Sequence, residues 1–270
     1  MMRKILLLCA ALVCAAFFVT GCKKCAKDSA APSRGPGFTL RVGFDADFPP
    51  YGFRDDDGEL KGFDLDLAKE VCQRRGWNIE LKPIDWDAKD AELDSGTINC
   101  IWNGFTINGR ESLYTWTCPY VDNTLVIMVK GDSAIQTFAD LKDKVVEVQA
   151  DSSGLAAIND EGKAELKASF KTLKTVPNFN NASMELESGS CDAVIIDIAV
   201  ADDIIRRAKP GTFRKLAEPL STEQYGVGFK LGDTATRDAV EATLREMVND
   251  GVFQIISEKW FDGKNVCAIK

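Results

Sequence analysis

Short apolar runs rich in β-branched residues alternate with helical patterns along most of this 270-residue chain. The predicted strands cover 38–44, 78–84, 98–102, 125–129, 144–149 and 193–196. A helix is predicted from Phe63, where apolar residues recur at helical spacing, up to Gly76. Two further helices are predicted at 236–249 and 252–260. Because strands alternate with helices, we predict an α/β protein built from parallel βα units.

Two longer extended segments, 121–129 and 216–229, lie between blocks of different composition. If both cross between two α/β lobes, lobe 1 is 38–124 plus 220–270 and lobe 2 is 125–219. Two crossover strands that act as a hinge are typical of a protein that closes on a ligand. Ligands of open α/β sheets bind outside the carboxyl ends of the strands.

The charge and residue content exclude several classes of function. Lys and Arg number 33 against 41 Asp and Glu, and this net charge of −8 argues against a nucleic-acid partner. The chain has no histidine, which excludes Ser-His-Asp and Cys-His nucleophile systems and His-ligated zinc. The cysteines of the folded body are scattered, so we predict neither a metal nor a cofactor. Without histidine, we also expect ligand affinity to stay nearly constant from pH 6 to 8.

The N-terminus predicts export. Arg3 and Lys4 precede an apolar run, 5–19, that is too short for a comfortable membrane span. The following Val-Thr-Gly-Cys resembles the bacterial lipobox, in which the cysteine is lipidated. We therefore predict a lipoprotein signal peptide (1–21), lipidation at Cys22 and a flexible tether (22–37). The alternative is an ordinary signal peptide with an incidental cysteine.

Candidate ligand-binding residues collect where predicted strands end or helices begin. They are Asp45, Phe48, Asp64, Trp86, Ser152, Ser153 and Asp197. Each alone has a structural explanation, as a helix cap or a core aromatic residue. The stretch 102–111 adds two glycines, Thr106 and Arg110, whose guanidinium is a planar fork that matches a carboxylate. Their joint placement predicts a ligand site at one edge of the sheets.

Several motifs, in the same order along the chain, carry a resemblance to a known family. They are RVGFDADFPPY at 41–51, GFDLDLA at 62–68, GFTI at 104–107 followed by Arg110, CPY at 118–120, CDAVIID at 191–197, and NDG at 249–251 followed by EKWF at 258–261. The chain resembles the extracytoplasmic solute-binding proteins of polar amino-acid ABC importers, family 3. The resemblance implies a two-lobed periplasmic-binding-protein fold that captures a free polar L-amino acid by hinge closure. It also implies delivery to ABC permease subunits while the N-terminal lipid holds the protein at a bacterial membrane.

The same resemblance assigns roles at the carboxylate end of a bound amino acid. Arg110 matches the arginine that grips the ligand α-carboxylate, and Thr106, Ser152 and Ser153 match donors to that group. The segment from Thr106 to Arg110 is one residue shorter than is usual in the family. Gly109 can adopt backbone angles that other residues avoid, so a tighter turn is expected to deliver the arginine.

At the other end, Asp197 matches the aspartate that binds the α-ammonium, with help from the backbone of Asn103 or Gly104. Phe48 and Trp86 match aromatic walls around the ligand side chain.

Asp45 and Asp64 match polar residues deeper in the side-chain pocket. Two aspartates there give a slight bias toward arginine, lysine or ornithine, and leave glutamine and cystine open.

Two other functions compete with amino-acid transport. Dehydratases that act on prephenate-like acids resemble the same family, and such chemistry needs a general acid in the cleft. Carboxylates are available in this sequence, but none is marked out as that acid. The second alternative is a surface lipoprotein used for adhesion or sensing.

Overall fold

Two main β-sheets organise residues 34–270, the residues that the computed structural model describes. The predicted signal peptide, Cys22 and most of the tether lie outside this range. In chain order the strands are β1 (Thr39–Phe44), β2 (Asp47–Phe48), β3 (Gly52–Arg54), β4 (Leu60–Lys61), β5 (Asn78–Pro83), β6 (Cys100–Ile101), β7 (Thr115–Trp116), β8 (Val121–Lys130), β9 (Val145–Gln149), β10 (Thr172–Val176), β11 (Ala193–Asp197), β12 (Phe213–Lys215), β13 (Ser221–Tyr225) and β14 (Gly228–Phe229).

Helices connect most of these strands. The α-helices are α1 (Phe63–Arg75), α2 (Lys89–Ser95), α3 (Ser153–Asn159), α4 (Ala164–Ser169), α5 (Phe179–Ser188), α6 (Ile198–Arg207), α7 (Thr234–Asn249) and α8 (Val252–Trp260). Short 3-10 helices cover Trp86–Ala88, Phe138–Leu141 and Glu161–Lys163. Within 34–270, no helix combines the length and the apolar character needed to cross a membrane.

The first sheet has the strand order β5-β1-β6-β14-β7. β1 pairs in parallel with β5 and β6, which sets Val42 opposite both Leu81 and Cys100. β14 comes from much later in the chain and pairs antiparallel with β6 and β7. A small separate sheet, β2-β3-β4, follows β1. Because β1 and β6 are parallel, Asp45 and Asn103 emerge at the same edge.

The second sheet has the order β10-β9-β11-β8-β12, with β13 paired to β8. β9, β10 and β11 are parallel, so β9 and β11 end at one edge, with Gln149 and Asp197 as their last residues. Every residue of β11 is buried, as expected for a strand whose two faces are both covered.

The chain passes between the sheets along two neighbouring strands. β8 follows β7 of the first sheet, and β13 leads back into β14. They pair antiparallel, with Val121 opposite Tyr225 and Leu125 opposite Ser221. The predicted α/β fold with two crossover strands is confirmed. The lobe boundaries at 124/125 and 219/220 stay a prediction.

Most predicted elements appear, with some differences in extent. α1 ends where Gly76 adopts a left-handed φ of 65° and donates its N–H to the last carbonyls of the helix. The strand predicted at 98–102 shrinks to β6, because the chain turns away at Gly104, whose φ is 53°. Helices α3 to α6 were not predicted individually. They have six to ten residues each, too few turns to display a clear helical period.

Asp64 joins three segments of the first half of the chain. It is fully buried in the first turn of α1, where Gly62 rather than Asp64 is the N-cap. Its Oδ2 accepts the N–H of Gly104 at 2.6 Å, and its Oδ1 accepts the Tyr120 hydroxyl at 2.8 Å. Burial raises the pKa of Asp64 to about 7.

The charge of Asp64 should make stability fall as the pH rises. An unfolded aspartate has a pKa of about 3.9. The folded-state pKa is higher, so the stabilising contribution is present below about pH 4 and lost as the pH rises through about 7. Between pH 5 and pH 8, we expect the unfolding free energy of the wild type to fall further than that of Asp64→Asn. The difference between the two falls should be on the order of 1–4 kcal/mol.

Urea unfolding of the ligand-free protein at both pH values measures this difference. Asp57→Asn, at an exposed turn position, is the matched control and should behave like the wild type. An Asp64→Asn variant with the wild-type pH dependence would show that Asp64 carries no charge penalty.

Candidate functional site

A small cavity lies where strands of both sheets end. Its walls come from the residues after β1 and β6 and from the ends of β9 and β11. The lining residues are Asp45, Phe48, Trp86, Asn103, Gly104, Thr106, Arg110, Gln149, Ser152, Ser153 and Asp197. The structure thus brings together the predicted site residues, except Asp64, and adds Gln149. Gln149 was missed although it is the last residue of a predicted strand, the position where such residues are expected.

Asp64 does not line the cavity. The prediction that it lies in the side-chain pocket is therefore wrong. Its two carboxylate oxygens are already bonded to Gly104 and Tyr120. It therefore supports the cavity wall from behind, and its burial was invisible in the sequence because Tyr120 is 56 residues away.

Polar contacts between distant parts of the chain close the cavity. Gln149 Nε2 donates to Asp45 Oδ2 at 2.7 Å, and Asn178 Nδ2 donates to Asp47 Oδ2 at 2.9 Å. A third contact pairs the buried ammonium of Lys89 with a carboxylate that follows β9. In each pair one residue belongs to predicted lobe 1 and the other to predicted lobe 2. Direct contacts therefore bridge the two sides of the cleft.

A tight turn carries Arg110 to the cavity. The Arg110 N–H donates to the Ile107 carbonyl at 2.8 Å, which closes a four-residue turn. Gly109, the third residue of this turn, has a φ of 77°, in the left-handed region that favours glycine. The shortened spacing between Thr106 and Arg110 is thus accommodated by the turn, as the glycine suggested.

The Arg110 guanidinium is held on two sides. It lies 5.2 Å above the centre of the Phe105 ring. Its Nη2 donates to the Asp151 carbonyl at 3.1 Å, and its Nη1 donates to the Thr106 carbonyl at 3.4 Å. Asp151 also bears the carboxylate that pairs with Lys89, so the same residue touches the arginine and bridges the cleft.

Asp197 provides a buried carboxylate in the same cavity. Its Oδ1 accepts the Asn123 side-chain amide at 2.7 Å and the Tyr225 hydroxyl. Burial, with the nearby carboxylate of Glu223, raises the pKa of Asp197. Both bonds go to Oδ1, and neither uses Oδ2.

The three hydroxyls predicted to donate to a ligand are bonded to other acceptors. Ser152 caps α3: its Oγ accepts the Leu155 N–H and donates to the Gln149 carbonyl at 2.8 Å. Thr106 and Ser153 both donate to the carboxylate of Glu223.

Glu223 is a site residue that sequence reasoning missed. It lies in β13 and is 6% exposed. Its position inside the predicted crossover 216–229 was the only available signal, because its hydrogen-bond partners lie 70 to 117 residues away.

Asp45 lies at the cavity edge next to Gln149. Its Oδ1 accepts the Asp47 N–H at 2.8 Å, and its own N–H donates to the Asn103 side chain at 2.6 Å. Burial raises the pKa of Asp45 to about 6. Buried carboxylates therefore titrate near neutral pH although histidine is absent, and a nearly constant affinity from pH 6 to 8 is no longer expected.

Two aromatic side chains frame the cavity. Trp86 meets the Phe105 ring edge-on, with 5.5 Å between ring centroids. Phe48 packs on Phe179 with 5.9 Å between centroids. A Cβ at Gly104 would lie 2.9 Å from the Phe48 ring, so glycine is required for this close packing.

Comparisons with known proteins agree with this architecture. The model of the bacterial extracellular solute-binding proteins, family 3, matches residues 40–263. The L-cystine-binding protein TcyJ of Escherichia coli (strain K12) is 32% identical over 226 residues, covering 83% of this chain and 82% of its own length. A probable histidine-binding protein of Neisseria gonorrhoeae is 30% identical over 260 residues, covering 93% of this chain and 94% of its own length.

Solved structures show the same two-lobed fold. An ABC uptake transporter substrate binding protein from Streptococcus pneumoniae with bound histidine has a TM-score of 0.81 and 33% identity, covering 86% of this chain and 95% of its own. The ancestral amino acid-binding protein AncCDT-1, a precursor of cyclohexadienyl dehydratase, has a TM-score of 0.75 and 32% identity, covering 83% and 95%. From the family match over nearly the whole described chain, we conclude that this protein belongs to the bacterial extracellular solute-binding proteins, family 3.

Proposed function

We propose that this protein captures a polar L-amino acid in the cavity and delivers it to the permease of an ABC importer. The observation that carries the proposal is that one guanidinium, on Arg110, and the buried carboxylate of Asp197 line the same cavity. A zwitterion requires one fixed cation and one fixed anion. Each charge-assisted hydrogen bond contributes about 1.5–3 kcal/mol, and micromolar affinity requires about −8 kcal/mol.

Hinge closure would complete the site. In the proposed open form, the lobes 38–124 plus 220–270 and 125–219 separate about the paired strands β8 and β13. Closure brings Gln149 to Asp45 and the Asp151 carbonyl to Arg110. Ligand contacts on both lobes favour the closed form, since a ligand shifts the equilibrium toward the state that it binds better.

The charge of the cavity favours a cationic ligand. Arg110 is the single basic side chain in its lining, against the two carboxylates of Asp45 and Asp197. The arrangement favours arginine, lysine or ornithine, whose second positive charge would meet Asp45. Glutamine and cystine are the next candidates, because protonated Asp45 is neutral and has a hydrogen to donate.

Capture without turnover is the proposed activity, rather than a dehydratase reaction. The relatives named above are binding proteins, and AncCDT-1 itself is described as amino acid-binding. Incubation with candidate amino acids and with a prephenate-like acid separates the two activities. Thermal stabilisation by an amino acid with no consumption supports capture, and steady conversion of the acid contradicts it.

We also propose that lipid on Cys22 holds the protein at the periplasmic or extracytoplasmic face of a bacterial membrane. The support is the lipobox-like Val-Thr-Gly-Cys sequence followed by a tether without hydrophobic periodicity. A tether at 22–37 would leave the binding body free to approach the permease.

Arg110→Ala should weaken amino-acid binding by at least about 2 kcal/mol, because the ligand carboxylate loses its cationic donor. Arg110→Lys keeps the charge but loses the planar fork, so it should restore only part of the affinity. Isothermal titration calorimetry measures both variants. Arg54→Ala, which removes an exposed arginine, is the control. Near-wild-type affinity in Arg110→Ala would refute the proposal that Arg110 binds the ligand carboxylate.

Gly109→Ala should destabilise the turn that positions Arg110. A Cβ there meets nothing within 4 Å, so the cost is the left-handed backbone alone, about 1–2 kcal/mol. Gly58→Ala is the matched control, because Gly58 also has a left-handed φ, of 85°, and open space. Both variants should lose similar stability by urea unfolding, and only Gly109→Ala should lose affinity. Equal affinity in the two variants would contradict the role of the turn.

Cys22→Ala should abolish lipidation, since the thiol is the acceptor of the lipid. Mass spectrometry of protein purified from a bacterial host should show an acylated Cys22 as the mature N-terminus of the wild type. The variant should lack the acyl mass and leave the membrane fraction. A wild-type protein cleaved elsewhere and free of lipid would support the ordinary signal peptide.

A further inference from the structure

Glu223 gathers three hydrogen bonds on one carboxylate oxygen beside the cavity. Its Oε1 accepts the Thr106 hydroxyl at 2.8 Å, the Asn123 side-chain amide at 2.8 Å and the Ser153 hydroxyl at 3.1 Å. The three donors come from the loop after β6, from β8 and from the start of α3. Glu223 thus lies behind two of the hydroxyls that line the cavity.

The direction of these bonds conflicts with binding a ligand carboxylate. An ionised carboxylate only accepts hydrogen bonds, and a hydroxyl has a single proton to donate. While Glu223 is ionised, the hydroxyls of Thr106 and Ser153 donate their hydrogen bonds to it. They then present only lone pairs to the cavity. A ligand carboxylate also offers only lone pairs, so the two groups do not match.

The charged and titratable groups around Glu223 are few. Asp197 shares the Asn123 amide with it, and Arg110 is a nearby cation. Asp160 and Lys163 line a surface pocket together with Glu223. The hydroxyls of Tyr51 and Tyr225 are neutral neighbours, because burial raises their pKa values well above 10. Burial likewise raises the pKa of Glu223. A ligand anion next to it would raise that pKa further.

We propose that Glu223 is a positioning residue for the ligand carboxylate and takes up one proton when that carboxylate binds. This inference rests on the proposed function. The proton comes from solvent and adds to Oε1 of Glu223. The protonated group then donates to the hydroxyl of Thr106 or Ser153. That hydroxyl turns its own hydrogen toward the ligand carboxylate, and no other bond changes.

Proton uptake has a definite sign in the binding equilibrium. Affinity must fall as the pH rises above the pKa of Glu223 in the free protein, by up to about tenfold per pH unit for one proton. Asp45 and Asp197 act in the opposite sense, because a ligand cation favours their ionised forms. The difference between the wild type and a Glu223 variant isolates the contribution of Glu223.

Glu223→Gln mimics the protonated state. The amide nitrogen of the new glutamine donates to the hydroxyl of Thr106 or Ser153. The amide oxygen still accepts from Asn123 and from the remaining hydroxyl. The matched control is Glu147→Gln, which changes a buried glutamate of β9 outside the cavity lining. Calorimetry at unit steps from pH 5 to pH 8, in two buffers of different ionisation enthalpy at each pH, counts the protons exchanged. The probe is whichever of L-arginine, L-glutamine and L-cystine binds most tightly.

We expect Glu223→Gln to bind at least as tightly as the wild type and to take up fewer protons, by up to about one per ligand. Glu147→Gln should match the wild type. Equal proton numbers in the wild type and Glu223→Gln would overturn the inference while leaving the proposed function intact. Failure of these three probes and of L-lysine and L-ornithine to bind the wild type would contradict the proposed function itself.

A wild-type measurement covers the case in which Glu223→Gln does not fold. The two-buffer titration of the wild type is read directly over the same pH range. Asp45 and Asp197 can only release protons when a cation binds, so net uptake at any of these pH values supports proton uptake at Glu223. Net release or no exchange at every pH would overturn it.

Discussion

Carboxylates buried around the cleft receive their hydrogen bonds from neutral groups. Backbone N–H groups, amides and hydroxyls donate to them, and no lysine or arginine of the described chain forms an ion pair with any of them. They are Asp45, Asp64, Asp197 and Glu223. A buried charge must be hydrogen-bonded to be tolerated, and neutral donors only partly offset its desolvation. In the cavity lining the two carboxyl groups of Asp45 and Asp197 outnumber the single guanidinium of Arg110, and a ligand cation would offset the difference.

This constraint links the fold to the site. Asp64 anchors the Gly104 N–H, which shapes the backbone just before Thr106 and the turn to Arg110. Asp45 accepts its cross-cleft bond from Gln149. The carboxylate groups thus hold both the wall of the cavity and its closure. Burial raises the pKa of each of these carboxylates, so the site can respond to pH without histidine.

Much of the fold and many cavity residues were predictable from local sequence. The helix from Phe63 to Arg75 has apolar residues at helical spacing, and β11 begins with an uninterrupted apolar run. Asp45 and Asp197 directly follow the strands predicted at 38–44 and 193–196. Gly109 predicted a tight turn because few other residues adopt its φ. The identity of hydrogen-bond partners was not predictable. In β13 buried and exposed residues alternate, and the sequence does not indicate that Glu223 is one of the buried ones. The donors to Glu223 come from three separate segments of the chain.

The most direct test is a crystal structure of the protein grown with the amino acid that stabilises it most. We expect the ligand carboxylate within hydrogen-bond distance of the Arg110 guanidinium and of the Thr106 or Ser153 hydroxyl, with the ligand ammonium on Asp197. A ligand bound in the reverse orientation, or outside the cavity, would contradict it.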